Sequence, residues 1–310
     1  MIANRRLAAM AACSLLTAIA GTALAQEEAG RLDETPRIAV MSAFGPEWVV
    51  LQEALSDRKD HAVNGVTFAT GTMEGKPVVL FLSGVSMVNA AMTTQMVIDR
   101  FAIDTIVFSG IAGGVDPSLS IGDVIVPDRW AQYLEAVFAR ETEEGYAPPG
   151  FLSTPFPNYG MIHPREVDIA REGAEPEQKF WFDVDPELLD LARSVAETAA
   201  LEDCVTASEC LGEPPQIRIG GNGVSGQAFV DNADFREYVF ETFEAGVLDM
   251  ESAAVAHVAY ANDIPFIAFR SLSDLAGGGD GENEMATFMQ LASDNSAAVV
   301  RAFVAALPEE

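Results

Sequence analysis

The sequence predicts an α/β domain built on a largely parallel sheet. Short apolar runs, rich in β-branched residues and bounded by Gly or Pro, recur along the chain. Segments with apolar residues at helical spacing stand between several of them. This alternation is the pattern of strand, crossover helix and strand stacked into one layered core.

In chain order, "RIAVMSA" (37–43), "VTFATG" (66–71) and "PVVLFLSG" (77–84) read as successive buried strands. "SMVNAAMTTQMVIDRF" (86–101) has helical spacing, and "DTIVFSG" (104–110) returns to strand. "SLSIGDVIVPD" (118–128) supplies a further strand after a Gly-rich turn. From about Arg129 to Gln216 the rhythm loosens: Pro148, Pro149, Pro155, Pro157 and Pro164 cluster in aromatic-rich sequence before a helix near Pro186 to Ala200. This stretch reads as a long excursion from the sheet. Regularity resumes with "IRIGGNGVSG" (217–226), a helix near Asp234 to Phe243 and the strand "AGVLD" (245–249). A small-residue helix from Ser252, the strand "IPFIAFRSLSD" (264–274) and a helix from about Asn283 to Leu307 complete the chain.

Residues 1–25 read as a secretory signal peptide: Arg5 and Arg6, an apolar run from Leu7 to Ala20, then Ala23-Leu24-Ala25 before the charged "QEEAG". The run is shorter than the roughly 20 residues a membrane span needs, so cleavage after Ala25 and a periplasmic or secreted product are expected, with no membrane attachment. Removal takes the formal charge from −29 to −31, because Arg5 and Arg6 leave and no acid does. So acidic a chain, with no basic patch, repels nucleic acid and anionic lipid. No linker, internal repeat or low-complexity tract divides residues 26–310, and a single domain is expected there. Cys204 and Cys210, in "EDCVTASECLGE", are the cysteines left after processing. An even pair in an exported chain suggests a disulfide closing a small loop; a zinc site is the alternative, and a poor one without a nearby histidine.

In open α/β sheets ligands bind beyond the carboxyl ends of strands. Four such ends carry polar residues out of keeping with the apolar runs before them: Glu47, Ser83, Glu251 and the pair Ser273-Asp274. Asp249 and Glu251 raise the sharpest question, since a charge entering a core costs several kcal/mol unless it is paired or has work to do. Each acid also has a plain reading: Glu47 as a first-turn acid on a helix dipole, Asp274 as an N-cap, Glu251 as a partner for Arg270. Several carboxylates sharing one crevice make sense if one is protonated as a general acid while another accepts ligand hydroxyls. His61, His163 and His257 show no ligand spacing, so no metal and no cofactor is expected.

Taken together, "IAVMSAFGPEWVVL", "LSGVSMVNAAMTTQMVID", "DTIVFSGIAGGVDPSLSIGDVIV", "VSGQAFV" and "LDMESAAVAHVAYANDIPFIAFRSLSD" resemble, in order, the nucleoside phosphorylase and nucleosidase superfamily. The resemblance is strongest to the methylthioadenosine/S-adenosylhomocysteine nucleosidases and covers about residues 36–128 and 217–307. It implies a three-layer αβα sandwich with a central mixed sheet, an insertion at about 129–216, and a homo-oligomer. It also implies an N-glycosidase acting on purine nucleosides. Asp274 matches the acid that protonates purine N7, and Glu47 the residue that activates the attacking water. Glu251 matches the acceptor for the ribose 2'- and 3'-hydroxyls, a task suited to a carboxylate that takes two hydrogen bonds. Met250 matches a residue against the sugar and Phe229 the aromatic that stacks on the base. Ser83 and Ser273 match residues lining the site, and Val230 one contributing backbone contacts. Ser86 stands where the family turn has glycine. Phosphorylases of this superfamily place an arginine at the position of Phe108, so hydrolysis is the expected reaction; phosphorolysis, or a non-catalytic binding or storage role, is the alternative.

Overall fold

The computed structural model describes residues 30–279 and 281–308, so the expected signal peptide lies outside the described residues. Strand β1 (Asp33–Ser42) leads into helix α1 (Gly45–Glu53), then the antiparallel strands β2 (Ser56–Val63), β3 (Val66–Met73) and β4 (Lys76–Leu82). Helix α2 (Met87–Arg100) and strand β5 (Phe101–Gly114) follow. Next come β6 (Val124–Val126), β7 (Arg129–Gln132), β8 (Trp181–Asp183) and helix α3 (Pro186–Ala196). The last part holds β9 (Ile217–Ile219), β10 (Asn222–Ser225), α4 (Ala233–Phe243), β11 (Ala245–Asp249), α5 (Ser252–Ala261), β12 (Phe266–Asp274) and α6 (Met285–Ala306).

These twelve strands make one sheet, in the order β8-β7-β10-β11-β5-β1-β4-β3-β2, with β12 on β5 and β6, and β9 on β6. β1 runs parallel to β4 and β5, and β12 parallel to β5. Their centres, Ala39–Met41, Val78–Phe81, Ile106–Phe108 and Ile267–Phe269, are fully buried. Such strands are covered on both faces, which is why they read as unbroken apolar runs rather than alternating ones. α2 and α5 pack together on one side, while α1 and α3 each pack against α6, which covers β5 and β12. The architecture is a three-layer αβα sandwich on a mixed sheet.

Three features differ from the sequence reading. β2 was unforeseen because its "SDRKDHAV" is almost wholly exposed; as the edge of the sheet it carries charge instead of an apolar stripe. β5 runs on through the Gly-rich segment to Gly114, where Gly113 and Gly114 pair antiparallel with Leu248 and Val247 of β11. The sheet is therefore mixed, as the family resemblance implies, and not largely parallel as the strand–helix alternation alone suggests. The excursion also begins later than Arg129: β7 pairs with β10, and β8 adds antiparallel to β7. Three- and four-residue strands are too short to declare a period. The rest of the excursion forms small two-stranded hairpins, and its aromatic residues settle on α4, with Tyr159 against Phe235 and Tyr238, and Phe156 against Phe243. Cys204 and Cys210 are bonded to each other across one of these hairpins. Among the described residues no helix is long and apolar enough to cross a membrane.

Candidate active site

The carboxyl ends of β1 and β12 meet the glycine-rich end of β5, and β11 arrives there from the other side. Four acids gather at this junction. Asp274 closes β12 and is 3% exposed. Its Oδ1 accepts the amide of Ala276 at 2.8 Å and the side-chain amide of Asn283 at 3.4 Å, and its Oδ2 accepts the Ser273 hydroxyl at 2.9 Å. All three donors are neutral. Burial pushes its pKa above the usual carboxylate range, and these hydrogen bonds only partly offset the rise.

Glu47 lies in the first turn of α1 and is 1% exposed. Its Oε2 accepts the amides of Ala43 at 2.7 Å and Phe44 at 3.3 Å, while Oε1 accepts Ile111 N at 2.9 Å. It thus satisfies free amides at the helix start, as the plain reading supposed, and ties α1 to β5. Burial raises its pKa as well, with Arg270 and the three amides opposing.

Glu251 opens α5, and its Oε1 accepts the amide of Ser86 at 2.8 Å. Ser86 adopts φ 81° and ψ 160°, a conformation that glycine takes freely and serine only at a cost of about 1–3 kcal/mol. Ser86 thus holds a glycine-like backbone at the position where the resemblance implies a glycine. Burial raises the pKa of Glu251 to about 7; Arg270 opposes this and Asp249 adds to it.

An arginine does reach Phe108, from another strand. Arg270 of β12 is fully buried with its guanidinium carbon 4.0 Å from the centre of the Phe108 ring. Its Nε is 2.7 Å from Asp249 Oδ2, although the N–H itself is directed at Ser252 Oγ at 2.9 Å, and its Nη2 is 3.7 Å from Glu251 Oε2. A Cβ on Gly110 would stand 1.8 Å from Arg270 Nη1, so the guanidinium occupies the space that glycine leaves. The glycine here provides clearance rather than a phosphate cradle.

A cleft opens over this cluster. Glu47, Glu251, Asp274, Ser273, Met250, Phe229 and Val230 all line it. Phe229 is 56% exposed, an unusual state for a large aromatic side chain, whereas Val230 is buried. Ser83 does not line the cleft. Its hydroxyl donates to Gly84 O, and the residue borders a separate groove with Trp48, Thr67 and Met92. Sequence reasoning missed the apolar wall made by Phe44, Val85, Ile111 and Met285, which nothing distinguishes from core in the sequence. It noticed Asp249 but gave it no role. Among the described residues no His, Cys, Asp and Glu cluster suits a metal ion.

Comparison with known proteins agrees with this geometry. Residues 37–305 match the family model of the phosphorylase superfamily. The 5'-methylthioadenosine/S-adenosylhomocysteine nucleosidase of Mycobacterium bovis is 30% identical over 87% of this chain and 96% of its own length. The enzyme of the same name from Tolumonas auensis is 29% identical over 86% and 98%. Among solved structures, the Neisseria meningitidis nucleosidase in complex with methylthio-immucillin-A superposes with a TM-score of 0.65 at 27% identity, over 87% of this chain and 99% of that one. With the family model spanning nearly the whole described chain, and these relatives aligned along almost their full length, the protein belongs to the phosphorylase superfamily.

Proposed function

We propose that the protein hydrolyses the N-glycosidic bond of adenine nucleosides of the 5'-methylthioadenosine and S-adenosylhomocysteine type, releasing the free base. The observation that carries this reading is the convergence of Asp274, Glu47 and Glu251 on one cleft whose lining also includes Met250 and Phe229. Asp274, whose pKa burial raises, gives its proton to N7 of the base as the C1'–N9 bond breaks. Glu47 takes a proton from the water whose oxygen bonds to C1', and exchange with solvent resets both groups. Glu251 accepts the 2'- and 3'-hydroxyls, Met250 lies against the sugar, and Phe229 stacks on the base.

Water rather than phosphate is the attacking group. None of the described residues lining the cleft is a lysine, arginine or histidine. The nearby cation, Arg270, is already engaged by Asp249. An oxyanion would have to displace that carboxylate. The mature chain is read as an exported single domain that assembles as a homo-oligomer, with inserted hairpins between β7 and β8 and between α3 and β9. Incubation of the purified protein with a panel of nucleosides, with and without phosphate, tests the reaction: free adenine and a reducing sugar are expected at equal rates in both. Phosphate-dependent formation of ribose 1-phosphate would overturn it.

A further inference from the structure

Glu251 occupies the N-cap of α5, yet its side chain makes no cap bond. An N-cap side chain ordinarily accepts the first free amides of its helix. Here the amides of Glu251 itself and of Ser252, the first helical residue, are both taken at 3.1 Å by Oδ1 of Asp249, two residues back on β11. The same oxygen accepts a short hydrogen bond from the Ser225 hydroxyl, whose own oxygen accepts the amide of Ala253 at 2.8 Å. The amides of Ala254 and Val255 go to the backbone carbonyl of Glu251, so the start of α5 is satisfied without the Glu251 side chain.

Asp249 also does an electrostatic task. Arg270 is 2.7 Å from Asp249 and 3.7 Å from Glu251, and all three side chains are buried. In a poorly solvated interior a guanidinium draws the nearest carboxylate strongly. Without a charge at position 249, Glu251 becomes its closest counter-ion. We propose that Asp249 is a positioning residue: it takes on the helix cap and the buried arginine that would otherwise occupy Glu251, and so leaves the Glu251 carboxylate to the sugar diol. This rests on the nucleoside reading above.

Asp249→Asn separates the two tasks, since the amide side chain keeps an oxygen for the cap but loses the charge facing Arg270. The test is kcat and KM of wild type and D249N on 5'-methylthioadenosine and on its 2',3'-dideoxy counterpart. In the variant the preference for the diol substrate is expected to fall by about 10- to 100-fold, the value of a hydrogen bond to a charged group, mainly through a higher KM. Turnover of the dideoxy compound should stay within about twofold, because the contacts remaining to it are unchanged. An unchanged preference overturns the proposal, and so does an equal loss on both substrates, which marks a merely structural role. If D249N does not fold, Ser225→Ala, which removes one hydrogen bond to Asp249, should lower the preference about threefold; no change there overturns the proposal equally. Wild-type protein that cleaves neither compound overturns the nucleosidase reading itself, and the proposal with it.

Discussion

Asp249 and Asp274 end strands that flank β5, and both are almost completely buried, at 4% and 3% exposure. Their surroundings are opposite. Asp249 meets a guanidinium at 2.7 Å and three further donors. Asp274 meets a hydroxyl and two amides and, among the described residues, no cation. Arg270 shares a strand with Asp274, but four residues at about 3.3 Å each put some 13 Å of backbone between them. The arginine reaches across β5 instead, to the other aspartate. Asp249 is thereby committed to a cation and a helix start, while Asp274, whose pKa burial raises, is left facing the cleft as a proton donor.

The largest expected effect comes from removing the acid. Asp274→Asn should lower kcat by about 10³-fold, the scale of a lost general acid, with KM changed by only a few-fold. Initial rates of adenine release measure this, and near-normal turnover would erase the difference between the two aspartates. Removing the cation tests the other half. Arg270→Met leaves buried carboxylates without a counter-charge and should cost about 3–5 kcal/mol of stability. Thermal unfolding would then show a melting temperature lower by about 10 °C.

Glu251 sharpens the contrast through pH. Its pKa is about 7 in the folded chain against 4.5 ordinarily, so the folded state holds a proton that the unfolded state has lost. The stability this contributes is complete below pH 4.5 and disappears as the pH rises to about 7. Glu251→Gln lacks the titration. It should therefore gain on the wild type by about 3 kcal/mol between pH 4 and pH 8, read as a widening gap between the two melting temperatures. A gap independent of pH would place Glu251 in a solvated setting. The smallest effect belongs to Phe229: because its ring is largely exposed, Phe229→Ala should weaken nucleoside binding by about 1 kcal/mol while leaving the melting temperature in place.

Much of this was readable in the residues. Glu47, Glu251 and Asp274 stand out because each ends an apolar run, where a charge is expensive. The central strands stand out because they are buried on both faces. Other parts were hidden for definite reasons. Asp249 and Glu251 are two residues apart and look equally suited to Arg270. The choice between them is made by Ser225, 24 residues earlier, and by the amides of α5, neither of which advertises itself in sequence. Ser83 fell outside the cleft because a strand end fixes where a backbone arrives, not which way a hydroxyl turns. Phe229 needed the family resemblance, since an aromatic residue in an apolar stretch usually means core.

The empty place at Gly110 ties two distant positions into one allowance of volume. Whatever is added on β5 must be subtracted at the tip of the β12 side chain. A single methyl group at position 110 would evict the guanidinium, and the disturbance would surface on a third strand as an aspartate without its counter-charge. A shorter neutral residue at 270 would clear the guanidinium from position 110, yet Asp249 would still stand without its counter-charge, so each of the two residues is held in place by the other.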